Sequence, residues 1–322
     1  MTIETTAERK AMRKVLGVDI GGTDIKLGIA GEDGSVIESG SIPTMADGGP
    51  ERAAERVRSW LEERKEGHPE VAAAGIDCAG LVDHGRRHLY YSPNLPGWKD
   101  IDLGGLFEGL LALPVTVDND VNCAAWGEYV LGAGRGTADF ICITLGTGIG
   151  GGIVLDGEVY RGWQGLAGEI GHQVIDSSGP VCGCGRKGCL EAMANAASIV
   201  ARVGSLIEAG ERSVLAEKGK PTAEEVSRAA EDGDRVAVRA LAGAGRALGT
   251  GLANLVHLFN PEVIAVGGGV ARAGTFLLEP AVESMKEQLL DEVLAAVRVV
   301  PAELGNSASF LGAAMMAAGR TG

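Results

Sequence analysis

Regular patterning starts near residue 15. VLGVDIGGT (15–23) is a short apolar run that stops at Asp19 and a glycine pair. DIKLGIAGEDGSVIESGSIPT (24–44) then reads as two further strands around a glycine-containing turn, so the chain should open with a meander. In PERAAERVRSWLEERKEG (50–67), Ala53, Val57, Trp60 and Leu61 recur at helical spacing and Gly67 ends the run. That spacing predicts an amphipathic helix. VAAAGIDCAG (71–80) and LPVTVDND (113–120) are apolar enough to be buried strands.

The pattern restarts at DFICITLGTGIGGGIVLDGEVY (139–160): an apolar strand, a Gly/Thr turn and an outgoing strand, as in 15–44. This points to two related halves. Helices are predicted over 192–209, 222–231 and 234–258. EVIAVGGGVARAG (262–274) supplies a strand and a glycine turn, and VRVVPAEL (297–304) a last strand. SASFLGAAMMAAG (307–319) predicts a closing helix of small residues, and residues 1–14 read as a frayed lead-in. Strands alternating with helices make the class α/β.

At 322 residues, 45 % of them hydrophobic, the chain can bury substantial cores and fits one to three domains. Its 51 glycines have neither a collagen period nor a disorder-like setting, so they imply tight turns. A net charge of −14 argues against nucleic acid and anionic membranes as partners. No apolar run approaches the ~18 residues of a span, and the N-terminus lacks the apolar core of an export signal. A cytoplasmic protein is the expectation. In that reducing setting the six cysteines favour metal binding over disulfides, with CGCGRKGC (182–189) holding three of them.

Three glycine turns follow apolar strands. DIGGTDIK (19–26) offers amides that can approach phosphate, beside Asp19, whose carboxylate suits a magnesium ion or its waters. LGTGIGGG (145–152) repeats the device with Thr147 and Gly148, and a strand follows it, so it is neither a Walker loop nor a Rossmann fingerprint. GGGVARAG (267–274) opens toward a helix, which suits a nucleotide. Each alone could be an ordinary turn. VDNDVN (117–122) clusters Asp118, Asn119, Asp120 and Asn122 where a strand hands over to a helix. Such residues cap helices. A carboxylate there can also take a proton from a hydroxyl attacking a phosphoryl group.

Taken together, DIGGTDIK, DNDVN, LGTGIGGG and GLAGEIGHQV followed by CGCGRKGCLE resemble the ROK family of repressors and sugar kinases. The resemblance implies an actin/hexokinase-like fold: two actin-like (ribonuclease H-like) domains with mixed sheets flanking a central cleft that closes on sugar. The expected N-terminal domain is 1–117, with helix 307–322 packing back on it, and the larger C-terminal domain is 118–306. His172, Cys182, Cys184 and Cys189 match the family's zinc knuckle, a closed Cys3His set with a structural role.

The resemblance also implies roles residue by residue. Asp120 is the general base. Asn94 and Asn119 hold sugar hydroxyls beside it, and Glu169, His172 and Glu191 complete the sugar-binding ring. Asp19, Gly21, Gly22, Thr23 and Lys26 belong to the phosphate and magnesium end, together with Thr147 and Gly148. Gly268 and Gly269 lie at the adenosine side. Cys78, Cys123 and Cys142 match no motif and read as core residues. Two positions depart from the pattern: Ala79 stands where many relatives have proline, and Asp118 where Glu is common.

The implied protein is an ATP-dependent hexokinase of the glucokinase type, using ATP, Mg2+ and a structural Zn2+, and working as a homodimer. Other hexoses or N-acetylhexosamines (N-acetylmannosamine, N-acetylglucosamine, fructose, mannose) are the alternative acceptors, and polyphosphate the alternative donor. A non-catalytic sugar sensor is a further alternative. The family's DNA-binding repressors need a helix-turn-helix domain, and only eighteen residues precede Asp19.

Overall fold

The structure is a computed structural model and describes residues 12–64, 66–68, 70–294 and 296–320. Most of the 1–14 lead-in, and residues 321–322 of the closing helix, lie outside the described residues. The chain divides into two compact units: one runs to Asp120 and takes in the chain from Ala313 onward, and the other is Val121–Gly312.

The first unit is built on strands β1 (Lys14–Ile20), β2 (Asp24–Gly31) and β3 (Val36–Pro43), then β4 (Val71–Cys78) and, later in the chain, β8 (Val115–Asn119). Their sheet order is β3-β2-β1-β4-β8. The meander is antiparallel, and β4 and β8 run parallel to β1. Helices α1 (Gly49–Glu62) and α2 (Leu103–Leu111) contribute Val57 and Phe107 to a core that also holds Leu16, Val18 and Ile76. Between β4 and α2 lies a small antiparallel sheet of β5 (Leu81–Asp83), β6 (His88–Tyr91) and β7 (Lys99–Ile101). At three or four residues each, these strands are too short to show a period of two.

In the second unit, α3 (Asp120–Leu131) leads into β9 (Phe140–Leu145), β10 (Ile149–Leu155) and β11 (Glu158–Val159). Helices α4 (Glu191–Ala194), α5 (Ala196–Glu208), α6 (Ala223–Glu231) and α7 (Arg235–Phe259) follow. Then come β12 (Val263–Gly267), α8 (Thr275–Lys286), α9 (Asp291–Leu294), β13 (Arg298–Pro301) and α10 (Ala308–Arg320), which ends in the first unit. The sheet order is β11-β10-β9-β12-β13. It repeats the first sheet in sequence and sense: two antiparallel pairings, then two parallel ones. The similarity between 15–44 and 139–160 is therefore the opening meander of each half.

Several predicted elements shorten. The helix expected over 50–67 stops at Glu62. The one expected over 192–209 is two helices, because Asn195 is extended and its side chain accepts the Ser198 N–H, starting α5 afresh. The strand and glycine turn expected over 262–274 are present as Val263–Gly267 and the glycines that follow it, whereas the strand expected over 297–304 is only Arg298–Pro301.

Candidate active site and metal centre

In the first unit Asp19 ends β1, and Lys26, opposite it on β2, donates to its Oδ2 at 3.4 Å. The turn between them is held from outside: Thr44 Oγ1 donates to the Gly21 carbonyl at 2.6 Å, and its amide to the Thr23 carbonyl at 2.8 Å. A Cβ on Gly22 would lie 2.8 Å from the Asn94 carbonyl. Only glycine lets the β1–β2 turn touch the loop that carries Asn94. Asn94 itself is exposed, on a loop anchored by the buried Leu95 and Trp98.

Asp118 and Asn119 end β8, and Asp120 is the first residue of α3, where the helix N-terminus favours a carboxylate. Asp118 is 2 % exposed, and its Oδ1 accepts the Asn119 amide at 2.8 Å. Asn119 Nδ2 donates to the Gly80 carbonyl at 3.0 Å. Asn122 lies inside the helix rather than starting it.

Sequence reasoning passed over Asp77. It stands in register with Asp19 on one side and Asp118 on the other, so three adjacent strands carry an acid at one level. Asp77 is fully buried, and among the described residues neither oxygen has an ordinary hydrogen-bond partner, although Asp19 is near enough to act on its proton. Burial pushes its carboxyl well above the usual carboxylate range; the charges of Asp19 and Asp120 push the same way, and Lys26 opposes them. The signal was present in GIDCAG, an acid inside an otherwise apolar strand.

In the second unit, the turn between β9 and β10 carries Thr147 and Gly148. Asn195 Nδ2 donates to the Thr147 carbonyl at 2.9 Å, and the Ile149 amide donates to Glu191 Oε2 at 3.0 Å. A Cβ on Gly148 would meet that same oxygen at 2.7 Å. Glu191 Oε1 lies 3.5 Å from Cys182 Sγ. One carboxylate thus touches both the thiol cluster and the glycine turn between β9 and β10. Gly268 has a φ of 89°, and a Cβ there would sit 2.3 Å from the Leu145 carbonyl, just before that turn. Gly269 beside it has open space.

His172, Cys182, Cys184 and Cys189 come together, with one donor atom from each within 4.8 Å of all the others. Cys184 and Cys189 Sγ are 3.7 Å apart, and Cys182 Sγ is 3.8 Å from His172 Nδ1. Zinc–sulfur bonds of ~2.3 Å in a tetrahedron require an edge of about 3.8 Å. The donor set fits a closed zinc site. The Arg186 backbone amide draws Cys184 down to about 7, while burial pushes Cys182 up to about 12. His172 directs Nε2 the other way, 3.9 Å from Glu169 Oε2. Cys78, Cys123 and Cys142 are buried cysteines outside the cluster.

Two sheets of identical order, each with a glycine turn after its first strand, define an actin-like α/β protein. The ROK family model matches residues 15–320, and the chain belongs to that family. A glucokinase of Streptomyces coelicolor is 39 % identical over 95 % of this chain and 98 % of its own length. Two solved structures are also similar. A ROK hexokinase from Thermus thermophilus is 36 % identical (TM-score 0.81), covering 96 % of this chain and 99 % of that one. A ROK family glucokinase from Streptomyces griseus in complex with glucose and AMPPNP is 37 % identical (TM-score 0.79), covering 96 % and 100 %.

Proposed function

We propose that this protein is an ATP-dependent hexokinase of the glucokinase type, moving the γ-phosphoryl of ATP to the 6-hydroxyl of glucose. The observation that carries the reading is the near full-length similarity to the Streptomyces griseus enzyme, whose structure holds glucose with an ATP analogue. The alternative acceptors and polyphosphate are the other arms of the test.

Asp120 takes the proton from the attacking hydroxyl, a role suited to a carboxylate at a strand–helix junction. Asn94 and Asn119 hold hydroxyls beside it, and Glu169, His172 and Glu191 hold the rest of the sugar. The turns at Gly21–Thr23 and Thr147–Gly148 direct backbone amides at phosphate oxygens, and Lys26 adds an ammonium. Asp19 serves the magnesium end, Gly268 and Gly269 the adenosine end. Bound magnesium neutralises phosphate charge. His172, Cys182, Cys184 and Cys189 hold zinc, which ties the 172–191 segment together without joining the chemistry.

The reading further includes a homodimer in the cytoplasm, with a domain boundary near residue 117 and the closing helix belonging to the N-terminal domain. Among the described residues no helix is long and apolar enough to cross a membrane. A coupled assay with a panel of sugars against ATP and polyphosphate tests the function. Glucose with ATP should give the highest kcat/KM, and no turnover with any pair would refute the kinase reading.

A further inference from the structure

The β5–β6 turn reaches back to the end of β8. His84 Nδ1 lies 2.8 Å from the Val117 carbonyl and 3.2 Å from Asp118 Oδ2. Both partners are acceptors, so Nδ1 carries the proton and donates to them. The other oxygen of Asp118 accepts the Asn119 amide at 2.8 Å, and the Asn119 side chain donates to the carbonyl of Gly80, just before β5. Residues 117 to 119 are therefore gripped at both ends by one hairpin. The short Asp118 side chain keeps its carboxylate beside its own backbone, where it accepts the next amide, and the imidazole meets its outer oxygen.

We propose that His84 is a positioning residue: through Asp118 it fixes the backbone and side chain of Asn119, and so the sugar-binding end of β8. The proposal rests on the sugar-kinase reading for Asn119, but not for the hydrogen-bonded chain itself. This chain of contacts includes none of the residues assigned to phosphate. Loss of His84 should therefore separate the two substrates, where a purely structural role would weaken both. One Nδ1–H is the only group required, and an asparagine Nδ2 stands the same number of bonds from the backbone.

The test uses full-length wild type, His84→Ala and His84→Asn. The alanine variant should raise the glucose KM roughly 10-fold, the loss of about one charge-assisted hydrogen bond. Its ATP KM should stay within about twofold, and asparagine should restore most of the sugar affinity. In 15N-labelled protein, the Asn119 backbone and side-chain amide signals should move in His84→Ala and return in His84→Asn, whether or not any sugar is turned over. An inactive wild type would sink the kinase reading while the amide signals still judge the chain of contacts. Unmoved Asn119 signals, equal losses for sugar and ATP, or no rescue by asparagine would each overturn the role given to His84.

Discussion

Asp77 faces Asp19 across the parallel β1–β4 ladder, with the first acid fully buried and the second held by Lys26. Burial first, and the neighbouring carboxylate second, disfavour a charge on Asp77. Its folded pKa is raised, so between the ordinary value near 3.8 and the folded value the native state binds more protons than the unfolded chain. Stability contributed by this group is present at low pH and lost as pH rises through that window. Asp77→Asn, which cannot ionise, should raise the urea midpoint at pH 7.5 and give a smaller gain at pH 4.5. A gain independent of pH would mean that Asp77 is already ionised in the folded protein.

Asp120→Asn should leave glucose affinity near that of the wild type and lower kcat by roughly 10²–10⁴-fold, the usual contribution of a positioned base. Steady-state kinetics with calorimetric glucose binding separates the two quantities. Full kcat in the variant would remove Asp120 from proton transfer.

Cys184→Ser should release the metal, because a Cys3His set has no spare ligand. Metal analysis should find about one zinc per chain in the wild type and little in the variant. Glu191 touches Cys182 on one side and the Ile149 amide on the other, so the damage should reach both ligands: the KM values for glucose and for ATP should rise together. A zinc-free wild type with full activity would count against the metal centre.

Gly268→Ala places a side chain in a left-handed backbone and against the Leu145 carbonyl. Left-handed φ alone costs about 1–2 kcal/mol, and the close approach adds to it. The variant should lose at least about 2 kcal/mol of stability in chemical denaturation, and its ATP KM should rise more than its glucose KM. A glycine replacement at Gly269, with nothing near its Cβ position, is the control and should be mild in stability.

Several features were legible in the sequence because each is a local constraint. Apolar runs and turn residues marked the principal strands of both sheets, and helical spacing marked α1. The thiol cluster could be read because its ligands are close in the chain, and the handover of β8 to α3 because Asp and Asn announce it. The sequence did not reveal the small sheet β5-β6-β7, whose strands are too short for a period and exist through pairing with one another. Nor could it reveal which acids meet. Asp19, Asp77 and Asp118 are far apart in sequence, and parallel pairing alone brings them to one level. The resemblance implied a place for Glu191 in the sugar-binding ring; folding of the second unit also set one of its oxygens on the Ile149 amide of the β9–β10 turn. His84 carried no signal, because a lone histidine in a turn acquires a partner only when a strand more than thirty residues later is laid beside it. Local periodicity and spacing decided the elements and their chemistry, and non-local register decided which groups act on each other.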